Sequence, residues 1–200
     1  MSRKYAIYGG TFDPVHIGHI AIANAAVSEC GLHRLIFMPD YISPFKQDKQ
    51  VTSGADRYEM IKSILHYNSA FTLSSYEINK EGPSYTIETL EYWDGIIEGD
   101  LSFVLGFDSV LEVESWRRGA DILRNYPLIT ARRPGSADEE GMDKINALRS
   151  EYNADITVLN MEPVDASSTE IRNRIKNGLS ISDMTVPEVE EYIIEHNLYR

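Results

Sequence analysis

The chain has 200 residues, 42 % of them hydrophobic and a quarter charged, which suits a globular protein with room for one sizeable core. Acidic residues outnumber basic ones 31 to 19, giving a formal net charge of -12. A polyanion is repelled on average, so a broad nucleic-acid surface is excluded, while a local pocket for a small phosphate is not.

The single cysteine, Cys30, rules out an internal disulfide. Its small, apolar surroundings make it a packing residue rather than a nucleophile. No run approaches the roughly 20 apolar residues of a membrane-spanning helix. Met1 to Tyr8 lead into a strand without the pattern of a signal peptide. The expectations are therefore a cytoplasmic protein with neither nucleic acid nor membrane as partner. A homo-oligomeric state is left open.

In chain order, Tyr5-Ala6-Ile7-Tyr8 reads as a buried strand closed by two glycines. A helix follows over about 17–30, stopped by Gly31, and Leu35 to Met38 form a second strand ended by Pro39. Ser53 is placed to cap a helix over about 54–67. Phe71 to Leu73 form a strand that Tyr76 to Ile78 extend after a break. Ser84 is placed to cap a helix over about 85–97.

Leu101 to Leu105 are the clearest central strand, followed by strands at 128–130 and 156–159. Helices are expected over about 138–150, 168–176 and 187–195. Alternating strands and helices imply a parallel sheet with right-handed crossovers. The reading is an α/β fold, a Rossmann-like doubly wound parallel sheet with a small helical C-terminal piece. All 200 residues are read as one domain, without internal repeats.

In such a sheet, ligands sit beyond the carboxyl ends of the strands. Gly9 and Gly10 are expected to supply backbone angles closed to other residues and to let a ligand approach the main chain. The helix after them offers free N–H groups to an anion. His16 and His19, three apart, project from one face of its first turn. Two imidazoles there suit phosphate oxygens in phosphoryl transfer. A metal site would need a third ligand beyond Asp13, so no protein-held metal is expected.

Near the other end, Ser167 and Glu170 have capping-box spacing. The hydroxyls of Ser167, Ser168 and Thr169, with Arg172, suit a triphosphate.

The string Gly9-Gly10-Thr11-Phe12-Asp13-Pro14-Val15-His16-Ile17-Gly18-His19 resembles the signature of the HxGH nucleotidyltransferases. Within them, the chain resembles the bacterial nicotinate-nucleotide adenylyltransferase family. Ser167-Ser168-Thr169-Glu170-Ile171-Arg172 is similar to the family's second phosphate motif, although Ala166 stands where Ile is frequent. Gly82 to Leu90, Gly106-Phe107-Asp108-Ser109 with Trp116, and Pro39, Pro44 and Lys46 with Arg57 and Met60 are similar to its acceptor segments.

The resemblance implies an adenylyltransferase acting by direct in-line attack, with ATP and nicotinate mononucleotide as substrates and Mg²⁺ arriving with ATP. It implies His16, His19, Lys46 and Arg172 as the catalytic set. ATP would be bound by Gly9, Gly10, Thr11, Phe12, His16, His19, Gly106, Asp108, Ser168, Thr169 and Arg172. The acceptor would be bound by Lys46, Ser84, Tyr85, Thr86, Asp108, Trp116 and Arg133. Trp116 offers a face for the pyridine ring, and Thr86 stands near a helix start that suits the ring carboxylate.

Two departures stand out. Phe45 replaces a frequent histidine, and bulky Phe107 is expected to narrow the adenosine pocket. Rival readings are nicotinamide mononucleotide or phosphopantetheine as acceptor, and a nucleotide-sensing protein without chemistry. A dinucleotide redox enzyme is disfavoured because Gly-x-Gly-x-x-Gly is missing from the first turn.

Overall fold

A computed structural model of the chain describes residues 2–42, 51–132, 138–162 and 164–200. Six strands form one sheet: β1 (Lys4–Gly10), β2 (Arg34–Pro39), β3 (Phe71–Leu73), β4 (Asp100–Val104), β5 (Leu128–Ala131) and β6 (Ile156–Leu159). Their order is β3-β2-β1-β4-β5-β6, and every pairing is parallel. The chain winds outward from β1 on one side and from β4 on the other. The point where the order reverses lies between these two strands.

Strand alternation separates two apolar layers. Ala6 and Tyr8 of β1 face one layer, and Ile7 faces the other. The first layer is closed by α1 (Ile17–Cys30), α2 (Gly54–Ser63), α8 (Ser168–Lys176) and α9 (Pro187–Glu195). Ile20, Ala23, Met60, Ile171, Val189 and Ile193 pack there. The second is closed by α4 (Thr86–Asp94), α5 (Phe107–Glu112), α6 (Gly119–Asn125) and α7 (Asp138–Tyr152), through Leu90, Val110, Ile122 and Ile145.

All six expected strands are present, and the spans of α8 and α9 agree with the sequence reading. Gly31 ends α1 in the left-handed region at φ 64°, with its N–H donated to the Val27 carbonyl. Ser53 caps α2 by accepting the Asp56 N–H, but this helix stops at Ser63 and gives way to a short 3-10 turn over Leu65–Tyr67.

Three expectations are corrected. Tyr76 to Ile78 do not extend β3: they belong to α3 (Tyr76–Lys80), a five-residue helix whose Glu77 is buried. Ser84 does not cap α4, whose cap position is Tyr85. Its hydroxyl instead accepts the Tyr41 N–H at 3.1 Å. Helices α5 and α6, with the 3-10 turn Val113–Ser115 between them, fill a stretch for which no element was expected.

Candidate active site

Two cavities open where the strand order reverses. The first, of about 320 Å³, has Gly9, Gly10, Leu105 and Gly106 along its floor and Ser84 to Thr86, Trp116 and Arg117 around its walls. The second, of about 290 Å³, is lined by His16, His19, Phe12, Arg132 and Asp165 to Ser167. Gly9, Gly10, Gly106 and Ser109 line both, so the cavities meet along a seam almost free of side chains.

The reason for glycine at this seam differs from the expected one. Gly9 and Gly10 are the last residues of β1, in register with Met38 and Pro39, and neither has a positive φ. A Cβ on Gly9 would sit 2.4 Å from the Phe103 ring, and one on Gly10 would sit 3.2 Å from the Phe12 ring. Close ring packing favours glycine here, most tightly at Gly9. The left-handed residue of the turn is Phe12, at φ 49°.

His16 is the N-cap residue of α1, with extended backbone, and is 8 % exposed. Its ring lies on that of His19, centroids 3.7 Å apart and 31° between planes. Gly18 makes room for it, because a Cβ there would approach the His16 ring to 3.1 Å. His19 Nδ1 accepts the His16 backbone N–H at 3.2 Å, so in the neutral ring the proton is on Nε2. A directional donor results. Phe12 meets His19 edge-on at 4.9 Å and fixes the ring plane.

The two ends of the chain meet beside this pair. Ser168 Oγ donates to the Pro14 carbonyl at 2.9 Å, and Arg172 Nη1 donates to the Asp13 carbonyl at 2.6 Å. Arg172 Nη2 reaches Thr169 Oγ1 at 3.4 Å. Ser168, Thr169 and Arg172 thus adjoin the Asp13–Pro14 segment rather than the lining of either cavity. Ser167 does line the second cavity, and its side chain caps α8 by accepting the Glu170 N–H at 3.1 Å. Glu170 does not reach back to complete a capping box; its carboxylate takes Arg174 at 3.2 Å. The N-terminal ends of α1 and α8 both open on the second cavity.

Around the first cavity, Tyr85 and Thr86 start α4, and the Arg117 guanidinium lies 4.5 Å from the Tyr85 ring centroid. Trp116 follows the 3-10 turn, its N–H on the Val113 carbonyl. Gly119 permits that turn, since a Cβ there would lie 1.9 Å from the Val113 oxygen. Thr11 lines this first cavity, and its hydroxyl donates to Asp40 at 3.0 Å. Asp108 is exposed in the first turn of α5, next to Phe107 and Ser109. Phe107 is 2 % exposed, with its ring close against Gly141 of α7, although part of it also lines the second cavity. Pro44, Phe45, Lys46 and Arg133 lie outside the described residues.

Several residues of this region take roles that the sequence did not show. Arg57 is 1 % exposed, and all five of its N–H donors are used. They reach the carbonyls of Thr52 at 3.0 Å, Thr11 at 2.8 Å, Asp40 at 2.7 Å and Tyr41 at 3.3 Å, and the Asp40 carboxylate at 3.2 Å. Asp40 and Glu77 place two carboxyl groups in the lining of the first cavity. Burial pushes the Glu77 carboxyl up to about 7, against the Thr89 hydrogen bond and the nearby Ser84 hydroxyl, which favour the charged form. Asp13 accepts the Tyr199 hydroxyl at 2.7 Å, and burial holds that phenol above its usual range. Arg132, at the end of β5, is an exposed cation of the second cavity.

A family model described as cytidylyltransferase-like matches residues 7–174. A protein of Caldicellulosiruptor bescii named "Probable nicotinate-nucleotide adenylyltransferase" is 39 % identical over 199 residues, covering 98 % of this chain and 99 % of that protein. One of the same name from Clostridium botulinum strain Alaska E43 is also 39 % identical, covering 99 % and 98 %. The Plasmodium falciparum nicotinic acid mononucleotide adenylyltransferase complexed with NaAD superimposes with a TM-score of 0.81 over 98 % of this chain and 97 % of that one, at 22 % identity. The enzyme complexed with APC gives 0.76 over the same shares, at 20 % identity.

Proposed function

Because the chain belongs to the cytidylyltransferase-like family and, within it, to the nicotinate-nucleotide adenylyltransferases, we propose that it transfers AMP from ATP to nicotinate mononucleotide. The products are nicotinate adenine dinucleotide and pyrophosphate, a step of NAD biosynthesis. The observation that carries this reading is the pair of cavities joined along the glycine seam.

In this reading ATP occupies the second cavity. Its phosphates lie under the N-terminal ends of α1 and α8, where free N–H groups and helix dipoles favour anions. The mononucleotide occupies the first, its ring carboxylate at the start of α4 beside Thr86 and its pyridine against Trp116. Ser84 and Tyr85 shape that wall, and Asp108 serves ribose hydroxyls. Lys46 and Arg133 are assigned to the phosphates by resemblance.

The acceptor phosphate oxygen attacks the α-phosphorus of ATP in line. A new P–O bond forms, the bond to the β-phosphate oxygen breaks, and pyrophosphate leaves with its electron pair. The nucleophile is already anionic, so no protein nucleophile or general base is required. Catalysis is positioning and stabilisation of charge on the leaving group. His19 Nε2–H, His16, Lys46 and Arg172 carry that task. Among the described residues no three His, Cys, Asp or Glu side chains converge on a metal site. In this reading the divalent ion that such transferases use is Mg²⁺ arriving with ATP, held largely by phosphates and water, where it would neutralise charge. We further assign all 200 residues to one catalytic domain and the protein to the cytoplasm. No described helix is long and apolar enough to cross a membrane.

The test is pyrophosphate release from ATP with nicotinate mononucleotide, nicotinamide mononucleotide and phosphopantetheine offered in turn. Preference for nicotinate mononucleotide is expected. Preference for another member overturns the acceptor, and no release with any member overturns the reaction.

A further inference from the structure

We propose that Glu77 is the positioning residue through which the acceptor cavity distinguishes a ring carboxylate from a ring amide, taking up a proton when the carboxylate acceptor binds. The proposal rests on the reaction assigned above and adds a residue and a protonation step to it.

Glu77 is 7 % exposed on α3 and lines the first cavity together with Ser84, Tyr85 and Thr86. One contact to α4 holds it: Thr89 Oγ1, one turn into the helix, donates to Glu77 Oε1 at 2.6 Å. The Ser84 hydroxyl stands near the carboxyl and favours its charged form. Ser84 Oγ accepts the Tyr41 N–H at 3.1 Å, and the Tyr41 carbonyl in turn accepts from Arg57. The approach to Thr86 is thus tied through Ser84 and Tyr41 to the same buried arginine that holds Thr11.

Among the described residues no ion pair to Glu77 is formed, and the cations around it are engaged elsewhere. Asp40, at the end of β2, raises its proton affinity, and Lys80 of α3 lowers it only as a minor effect. Lys80 is engaged with Glu88 of α4. Arg117, after the 3-10 turn, pairs with Glu88 at 3.2 Å, and Arg57 of α2 pairs with Asp40 at 3.2 Å. Glu112 of α5 adds a further negative group to the wall. Burial then pushes the Glu77 carboxyl up to about 7, so both of its forms are populated at neutral pH.

The sign follows directly. Below about 7 the carboxyl is neutral, and above it the carboxylate repels a second anion entering the cavity. A ring carboxylate at the start of α4 pushes Glu77 toward its neutral form, whereas a ring amide exerts no such push. By reciprocity, a ligand that binds the neutral form better draws a proton onto it. Ionised Glu77 therefore penalises the acid acceptor and leaves the amide unaffected.

The experiment compares nicotinate and nicotinamide mononucleotides, whose shared phosphate titrates alike and cancels. The KM for the nicotinate acceptor is expected to rise about tenfold relative to that for the nicotinamide acceptor between about pH 6 and about pH 8, with kcat and the KM for ATP moving together for both. Titration calorimetry of the unaltered protein, slightly above neutral pH in two buffers of different ionisation enthalpy, is expected to show uptake of roughly half a proton with nicotinate mononucleotide only. Glu77→Gln keeps the Thr89 contact and is expected to flatten the differential.

Equal pH dependence for both acceptors, equal proton uptake, or a differential that survives Glu77→Gln would overturn the proposal and leave the reaction standing. If neither mononucleotide supports pyrophosphate release, the reaction assignment fails and the proposal fails with it. The two failures are thus distinguishable.

Discussion

At the scale of single residues, one buried cation gathers three turns beside the first cavity. Arg57 holds four carbonyls and a carboxylate at once, and no other described group could replace its planar fork. Removing one partner of a buried ion pair typically costs about 3–5 kcal/mol. Arg57→Ala should therefore lose about 3 kcal/mol of stability in urea unfolding, with Asp40 losing its guanidinium partner. His19 predicts the opposite pattern. It is half-buried, and its Nε2–H points to charge stabilisation rather than packing, so His19→Ala should lower turnover about 100-fold with little change in melting temperature. Pyrophosphate release and a thermal melt of the same sample check both halves. Near-normal turnover would remove His19 from the mechanism.

At the scale of elements, the N-terminal end of α8 joins stability to the phosphate binding proposed above. Ser167→Ala removes the oxygen that accepts the Glu170 N–H and should cost about 1 kcal/mol, read from denaturant unfolding, together with a raised KM for ATP. This element was readable beforehand because its cap and both ends lie within one short stretch of sequence. The strands were readable for a similar reason, each being an apolar run closed by Gly, Pro or a polar turn. Helix α3 was not. Tyr76-Glu77-Ile78 alternates like a strand, and a five-residue helix has no room to show a helical period. Helices α5 and α6 are six and seven residues long and equally silent. The same contrast holds at the site. The two phosphate motifs are contiguous strings and could be read, as could Thr86 and Trp116 through their ordered spacing. The positions of Asp40, Glu77 and Arg117 depend on which turns the fold brings together. The buried fate of Arg57 depends on carbonyls contributed by residues 11, 40, 41 and 52.

At the scale of the molecule, the cavities draw on different parts of the chain. The walls of the first come largely from residues 76–117, and those of the second from the first turn of α1, the end of β5 and residues 161–167. The C-terminal piece ties the 13–15 turn and α2 together, with Tyr199 on Asp13, Thr185 on the Val15 carbonyl at 3.3 Å and Tyr192 on Asp56 at 2.9 Å. Acceptor preference can therefore change without disturbing the donor side. The glycine seam has a further kinetic meaning. With little more than the Ser109 side chain between the cavities, a dinucleotide placed as proposed would lie across both and would have to vacate both before another turnover begins. It should then compete with each substrate separately, giving intersecting lines on the ordinate against ATP and against the mononucleotide alike in initial-rate plots. A tethered bisubstrate compound should bind more tightly than either half, because its second half arrives at high effective concentration. A dinucleotide that competes with only one substrate would mean that the two cavities are emptied independently.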